Sequence, residues 1–160
     1  NRNKFQVISV DAYRPPYIPW HLTTQEFFAI VRDHLTEDGV MVINIGRTAD
    51  DRRLIDTLAS TIRSVFPSVH VMDLPDSFNS ILFATMQPTI DTNLTENFLA
   101  LSQNPDTPHL LLEAMASTIN NLQPAPIGST VFTDDWAPIE WITNDMIFEF
   151  FTSGSAEILQ

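Results

Sequence analysis

The hydrophobic positions form two kinds of pattern along the chain, short continuous runs and residues at helical spacing. Each pattern predicts one kind of element. Short apolar runs over residues 5–10 and 40–45 predict strands that are buried on both faces, as parallel strands between helix layers are. Between them, apolar residues at helical spacing follow Thr23 and Thr24, and Glu26 is placed for a capping box from Thr23. The apolar stripe of this predicted helix comprises Phe27, Ile30, Val31 and Leu35.

The remaining chain predicts one more helix, two strands and three C-terminal helices. A helix over about 51–66 ends at Pro67 and has one apolar face, which comprises Leu54, Leu58, Ile62 and Val65. The strands 69–74 and 80–86 are separated by only five residues, too few for a crossover helix, so they are predicted to be antiparallel neighbours. The last helices are predicted over about 93–102, 108–121 and 138–152.

This order of elements predicts an α/β fold with a mostly parallel sheet, one antiparallel edge strand and helices on both faces. The first strand begins within five residues of the N-terminus. In doubly wound folds such a strand lies near the switch point with further strands beyond it, so we expect a partial doubly wound sheet. The chain is predicted to form one domain over 1–160, with an α/β half-sheet over 1–90 and a helical extension over 91–160.

Charge and composition narrow the classes of partner. The net charge of −12 argues against nucleic-acid binding, which requires clustered positive charge. No apolar stretch approaches the length of a membrane span, so no membrane segment is expected in this chain and a cytoplasmic location is expected. Cysteine is absent and the four histidines lack metal-ligand spacing, so no metal site is expected.

Three short stretches carry a resemblance to a known family. They are Asp11-Ala12-Tyr13-Arg14-Pro15, then Leu22, Thr24, Glu26, Phe27 and Phe28, and then Leu35 with Gly39 and Val40. In this order and spacing they resemble the central segment of spermidine synthases. The stretch 133–140 is similar to the Asp-Asp-x-x-Pro-x-Glu stretch of divergent spermidine-synthase-like proteins. The resemblance implies the C-terminal half of a methyltransferase-like Rossmann fold.

The resemblance also implies an activity and a set of site residues. The family transfers an aminopropyl group from decarboxylated S-adenosylmethionine to a diamine such as putrescine. Asp11 falls on the family's catalytic aspartate, and Asp11 and Leu22 would lie beside the nucleotide. The proline- and aromatic-rich loop after Asp11 would be a lid over the small-molecule amine, or a packed surface loop. The substrate-side residues would be Tyr13, Arg14, Tyr17, Trp20, His21, Asp134 and Asp135.

The chain departs from the family pattern in ways that leave alternatives open. Arg14 stands where the family has a second acid, and it would repel a diamine. No glycine-rich turn is present, so we expect no cofactor to be bound by this chain alone and no activity in isolation; decarboxylated S-adenosylmethionine or S-adenosylmethionine would serve the complete protein. Asp134 and Asp135 could also simply favour the start of the last helix. A binding module that pairs through its first strand, as a homodimer or with a partner, and a methyltransferase relative are the alternative functions.

Overall fold

The protein is described by a computed structural model that covers residues 3–12, 18–48, 50–124 and 128–152. Within these ranges the strands are β1 (Phe5–Val10), β2 (Leu35–Gly46), β3 (Ser68–Asp73), β4 (Asn79–Thr85) and β5 (Leu122–Gln123). The helices are α1 (Gln25–Arg32), α2 (Arg53–Arg63), α3 (Asp91–Ser102), α4 (His109–Asn121) and α5 (Ile139–Thr152). No helix in these ranges is both long and apolar enough to cross a bilayer.

The strands form one mixed sheet in the order β1-β2-β4-β3-β5. β1 and β2 are parallel, whereas β4 is antiparallel to both of its neighbours, so β1, β2 and β3 all point the same way. The predicted α/β class is therefore confirmed. The predicted position of the antiparallel strand is wrong: β4 lies inside the sheet, and the edge beyond β3 is the two-residue β5. The connection through α2 carries β3 past one strand position, and the hairpin then brings β4 back into that position.

The core lies between one face of the sheet and helices α1, α2 and α5. Alternate residues of β2 point into it, and its neighbour β4 contributes from the same face. The fully buried residues on this face of the two strands include Met41, Ile43, Ile45, Leu82 and Ala84. The predicted stripe of α2 is confirmed for Leu54, Leu58 and Ile62, which are all buried. Phe132, Ile139 and Met146 belong to the same core cluster, so residues beyond 91 pack with the sheet. The proposed boundary near residue 90 stays a prediction.

Helix α1 begins at one of its two predicted caps but packs differently from the prediction. Thr24 is its N-cap and accepts a hydrogen bond from the Phe27 backbone N–H at 3.3 Å. Phe28 and Val31 face the core, whereas Ile30 is 59% exposed. Two overlapping apolar stripes fit this short helix, and the one that contains Phe28 is the one that packs. Leu35 already belongs to β2.

Helices α3 and α4 cover part of the other face of the sheet. On this face, the outward-pointing residues of β2 and β4 lie opposite α3 and α4. A cavity of about 420 Å³ separates them, and its lining includes Val40, Phe83 and Leu94. His70 of β3 holds the start of α3, because its Nδ1 lies 2.7 Å from an Asp91 carboxylate oxygen. Helices therefore lie on both faces of the sheet, as predicted.

Candidate functional site

The carboxyl ends of the two parallel strands bring Asp11 and Asn44 together. Val10 is in register with Ile43, so the next residue of each strand lies at the same edge. Asp11 is exposed there, and the Asn44 side-chain amide donates to its carboxylate over a long distance of 3.5 Å. Ligands of open α/β sheets bind outside the carboxyl ends of parallel strands, so this edge is the candidate site.

Asn44 leaves one strong acceptor unused. Its Oδ1 is buried and has no hydrogen-bond partner among the described residues. A buried amide oxygen without a partner is unfavourable, and a donor from a ligand would satisfy it. The Asp11 carboxylate and this oxygen together offer acceptors only, which suits an ammonium or amine N–H. Sequence reasoning did not identify Asn44 as a site residue. The signal that would have found it is the alignment of β1 with β2, which places Asn44 beside the residue that follows β1.

The neighbouring strand ends are held by a charged cluster around Asp73. Arg52 donates to one Asp73 oxygen at 2.6 Å, and the Ser80 hydroxyl donates to the other at 2.5 Å. Arg47, which follows β2, is 3.5 Å from the same carboxylate. Burial alone would raise the Asp73 pKa, but the hydrogen bonds from Arg52 and Ser80 outweigh it and hold the pKa below its ordinary value. This cluster fixes the edge of the sheet beside the candidate site.

The loop residues predicted from the resemblance are described only in part. Tyr13, Arg14 and Tyr17 lie outside the described residues. Trp20 and His21 belong to a short 3-10 turn that precedes α1, and their rings meet edge-to-face with centroids 5.7 Å apart. Leu22 of the same turn is half-buried against the core. The roles assigned to these six residues stay predictions.

Asp134 and Asp135 lie in the turn before α5. The Thr24 hydroxyl donates to the Asp134 carboxylate at 2.7 Å, and the Asp134 backbone N–H donates to Glu26 at 3.1 Å. These bonds tie the turn to the first residues of α1. Glu26 is therefore not part of the predicted capping box with Thr23, whose hydroxyl donates to the Trp20 carbonyl. Asp135 is exposed, and a substrate role for either acid stays a prediction.

A cavity of about 640 Å³ lies beyond the end of β2, near the candidate site but separate from it. Asp51, Arg53 and Glu149 line it, and Asp11 and Asn44 do not. The Arg53 guanidinium donates to Asp51, Asp145 and Glu149, which joins α2 to α5. Arg53 pairs with two of the three acids that line the cavity, Asp51 and Glu149, and Asp50 is the third.

Gly39 and Gly128 do not form a nucleotide-binding turn. A nucleotide turn needs glycines that leave room for close backbone approach. A Cβ at Gly39 would meet Leu35 at 2.9 Å, and one at Gly128 would meet Ser60 at 2.3 Å, so both glycines serve internal packing. Within the described ranges no group of three His, Cys, Asp or Glu side chains could hold a metal ion.

Comparison with known proteins supports a single family. No family model matches the chain. A probable polyamine aminopropyl transferase of Bifidobacterium longum is 33% identical over 88% of this chain and 34% of its own length. A polyamine aminopropyltransferase of Vibrio vulnificus is 30% identical over 74% of this chain and 37% of its own length. The chain therefore spans about a third of the length of these relatives.

Solved structures show the same fold. A probable spermidine synthase from Corynebacterium glutamicum superposes with a TM-score of 0.54 at 21% identity, over 81% of this chain and 47% of that one. A spermidine synthase in complex with the transition-state analogue AdoDATO superposes with a TM-score of 0.52 at 22% identity, over 74% of this chain and 42% of that one. The chain belongs to the spermidine synthase-like family, of whose members it spans only a part.

Proposed function

We propose that this chain supplies the amine-acceptor side of an aminopropyltransferase, with Asp11 as the base or ammonium anchor. The observation that carries the proposal is the pair formed by Asp11 and Asn44. The Asp11 carboxylate accepts from the Asn44 amide nitrogen, and the oxygen of the same amide has no partner among the described residues. Both residues lie near the carboxyl ends of two parallel strands, where such folds bind ligands.

The chemistry needs what these two groups offer. An amine is protonated at neutral pH and must lose a proton before its nitrogen can attack carbon. The Asp11 carboxylate takes that proton or holds the ammonium, while Asn44 orients the N–H that remains. The amine nitrogen then bonds to the aminopropyl carbon of decarboxylated S-adenosylmethionine, the bond from that carbon to sulfur breaks, and methylthioadenosine leaves.

The nucleotide is assigned to sequence that this chain does not contain. The relatives are about three times as long as the matched region. The packing of Gly39 against Leu35 and of Gly128 against Ser60 supports this assignment. We therefore propose that the isolated chain binds the acceptor amine weakly and releases no methylthioadenosine.

A chimera tests the activity. This chain replaces the matching segment of the Bifidobacterium longum relative, and methylthioadenosine release is measured with putrescine and with a panel of other amines, because Arg14 is expected to disfavour diamines. An active chimera is expected, and Asp11→Asn should lower its rate by about 100-fold or more. The matched control is Asp38→Asn, an exposed acid of β2 away from the strand ends. Equal rates for the two variants would refute the assignment of Asp11.

Binding by the isolated chain is tested separately. The side-chain amide resonances of Asn44 are followed by nuclear magnetic resonance as amine is added. We expect them to shift in the unaltered chain and in Asp38→Asn but not in Asp11→Asn. An unchanged Asn44 signal in the unaltered chain would contradict the acceptor site even if a chimera were active.

A second function has its own observation. The outer edge of β1 pairs with no strand among the described residues, and Phe5 and Val7 beside it are 47% and 60% exposed. Open strand edges pair with other chains. The alternative is therefore a module that pairs through β1. Sedimentation of the unaltered chain and of Val7→Lys tests pairing between copies of this chain: a monomer in both cases rules out a homodimer through β1.

A further inference from the structure

A groove on the opposite side of the core from the sheet combines exposed aromatic walls with an acid. It lies between α2, α5 and the segment that precedes α5, and its volume is about 460 Å³. Asp56 and Thr57 of α2 form one side, and Trp141 of α5 forms the other. Phe132 and Trp136 also line the groove, as does Arg53, whose guanidinium is bound by acids outside it.

The aromatic walls are open although their support is rigid. Trp136 is 55% exposed and Trp141 is 67% exposed, whereas Phe132 beneath them is fully buried. The rings of Phe132 and Trp136 meet edge-to-face with centroids 5.9 Å apart, which holds the Trp136 indole in place. A Trp face is the strongest aromatic partner for a cation, and it remains available here.

The carboxylate of Asp56 has no partner in the described part of the chain. Its side chain makes no hydrogen bond there and no ion pair, and burial raises its pKa. The arginines nearby are already engaged: Arg52 binds Asp73 at 2.6 Å, and Arg53 binds Asp145 at 2.6 Å and Glu149 at 2.7 Å. Arg52 attracts Asp56 only from a distance, so an added cation would be the one group to bind this carboxylate directly within the described part of the chain.

We propose that this groove binds a small organic ammonium cation, with its charge against Asp56 and its alkyl groups against Trp136 and Trp141. Charge complementarity selects this occupant over an apolar one, because the groove carries an unpaired acid on a chain of net charge −12. The ammonium gains both a carboxylate partner and the negative faces of two indoles. The lining excludes Asp11 and Asn44, so the site is separate from the acceptor site.

The test uses a pair of probes that differ in charge and share their shape. Choline chloride and its neutral carbon analogue, 3,3-dimethylbutan-1-ol, are titrated into the full chain at constant ionic strength. Binding is followed by tryptophan fluorescence and by calorimetry. We expect millimolar binding of choline and binding of the neutral alcohol that is weaker by about tenfold or more. Equal affinity for the two probes, or no binding of choline, would overturn the proposal.

Matched variants locate the site. Asp56→Asn and Trp141→Ala should each weaken choline binding by about fivefold to tenfold. Asp106→Asn removes an exposed acid elsewhere, and Phe148→Ala removes an exposed ring of α5 outside the groove, so both should leave the affinity unchanged. Circular dichroism checks that each variant is folded. If Asp56→Asn and Trp141→Ala bind choline as tightly as the two control variants do, the groove is not an ammonium site. The same conclusion follows if the fluorescence change depends on the protein concentration and not on the choline concentration.

Discussion

The Thr24 hydroxyl donates a hydrogen bond of 2.7 Å to the Asp134 carboxylate, although 110 residues separate them in the chain. The same oxygen accepts the bond that caps α1, and the Thr24 side chain is fully buried. One hydroxyl therefore begins a helix and fastens the C-terminal segment to it.

Replacing this hydroxyl tests the coupling. Thr24→Val keeps the shape of the side chain but leaves the Phe27 N–H and the Asp134 carboxylate without their partner. We expect the free energy of unfolding to fall by about 1–3 kcal/mol in urea titrations. Thr118→Val removes a hydroxyl that bonds only within α4, and it should change stability by less than about 0.5 kcal/mol. Equal losses in the two variants would contradict the special position of Thr24.

The charged cluster at the strand ends predicts a pH dependence. The pKa of Asp73 is lower in the folded protein than in the unfolded one, so its contribution is present above the unfolded pKa and is lost as pH falls through the folded pKa. Asp73→Asn should therefore cost about 1–3 kcal/mol at neutral pH. The difference from the unaltered protein should shrink as pH falls below about 4. Asp106→Asn should show no such trend, and a pH-independent loss in Asp73→Asn would contradict the charge-based account.

The approach of residue 128 to α2 predicts a strained substitution and its relief. A Cβ at Gly128 would lie 2.3 Å from the Ser60 hydroxyl oxygen and 3.0 Å from the Asp56 carbonyl oxygen. We expect Gly128→Ala to lower stability by about 1–3 kcal/mol. Ser60→Ala should relieve part of this loss, because the carbonyl remains in place. A double-mutant cycle measures the coupling, and strictly additive effects would contradict the contact.

The burial of Phe132 predicts that the C-terminal segment unfolds together with the sheet. Phe132 has no exposed surface and its N–H bonds to the Thr61 hydroxyl of α2 at 3.0 Å. Phe132→Ala should cost about 3–5 kcal/mol and preserve a single transition by circular dichroism and fluorescence. Phe148→Ala, at an exposed ring of α5, should cost less than about 0.5 kcal/mol. Two separate transitions in the unaltered chain would show that residues 91–152 fold independently.

The sequence predicted elements whose pattern is local and missed arrangements that are not. The buried face of α2 was predicted because its apolar residues fit a single helical stripe. The apolar residues of α1 fit two stripes, and the predicted stripe wrongly placed Ile30 in the core. The order of β3 and β4 was missed because either strand of this hairpin can pair with β2. The sequence of the hairpin alone does not say which of the two strands does so. Asp11 was identified through the family resemblance. Asn44 was not, because its contact with Asp11 depends on the register of two strands, and the two residues are 33 positions apart in the sequence.

The position of β4 between β2 and β3 has a consequence for synthesis on the ribosome. β2 and β3 are both translated before β4. In the finished sheet they are not neighbours, because β4 lies between them. The middle of the sheet is therefore filled last among its four longer strands. A nascent chain from which β3 has emerged and β4 has not leaves open backbone edges of the kind that attract other nascent chains. Completion of the hairpin closes two of these edges at once.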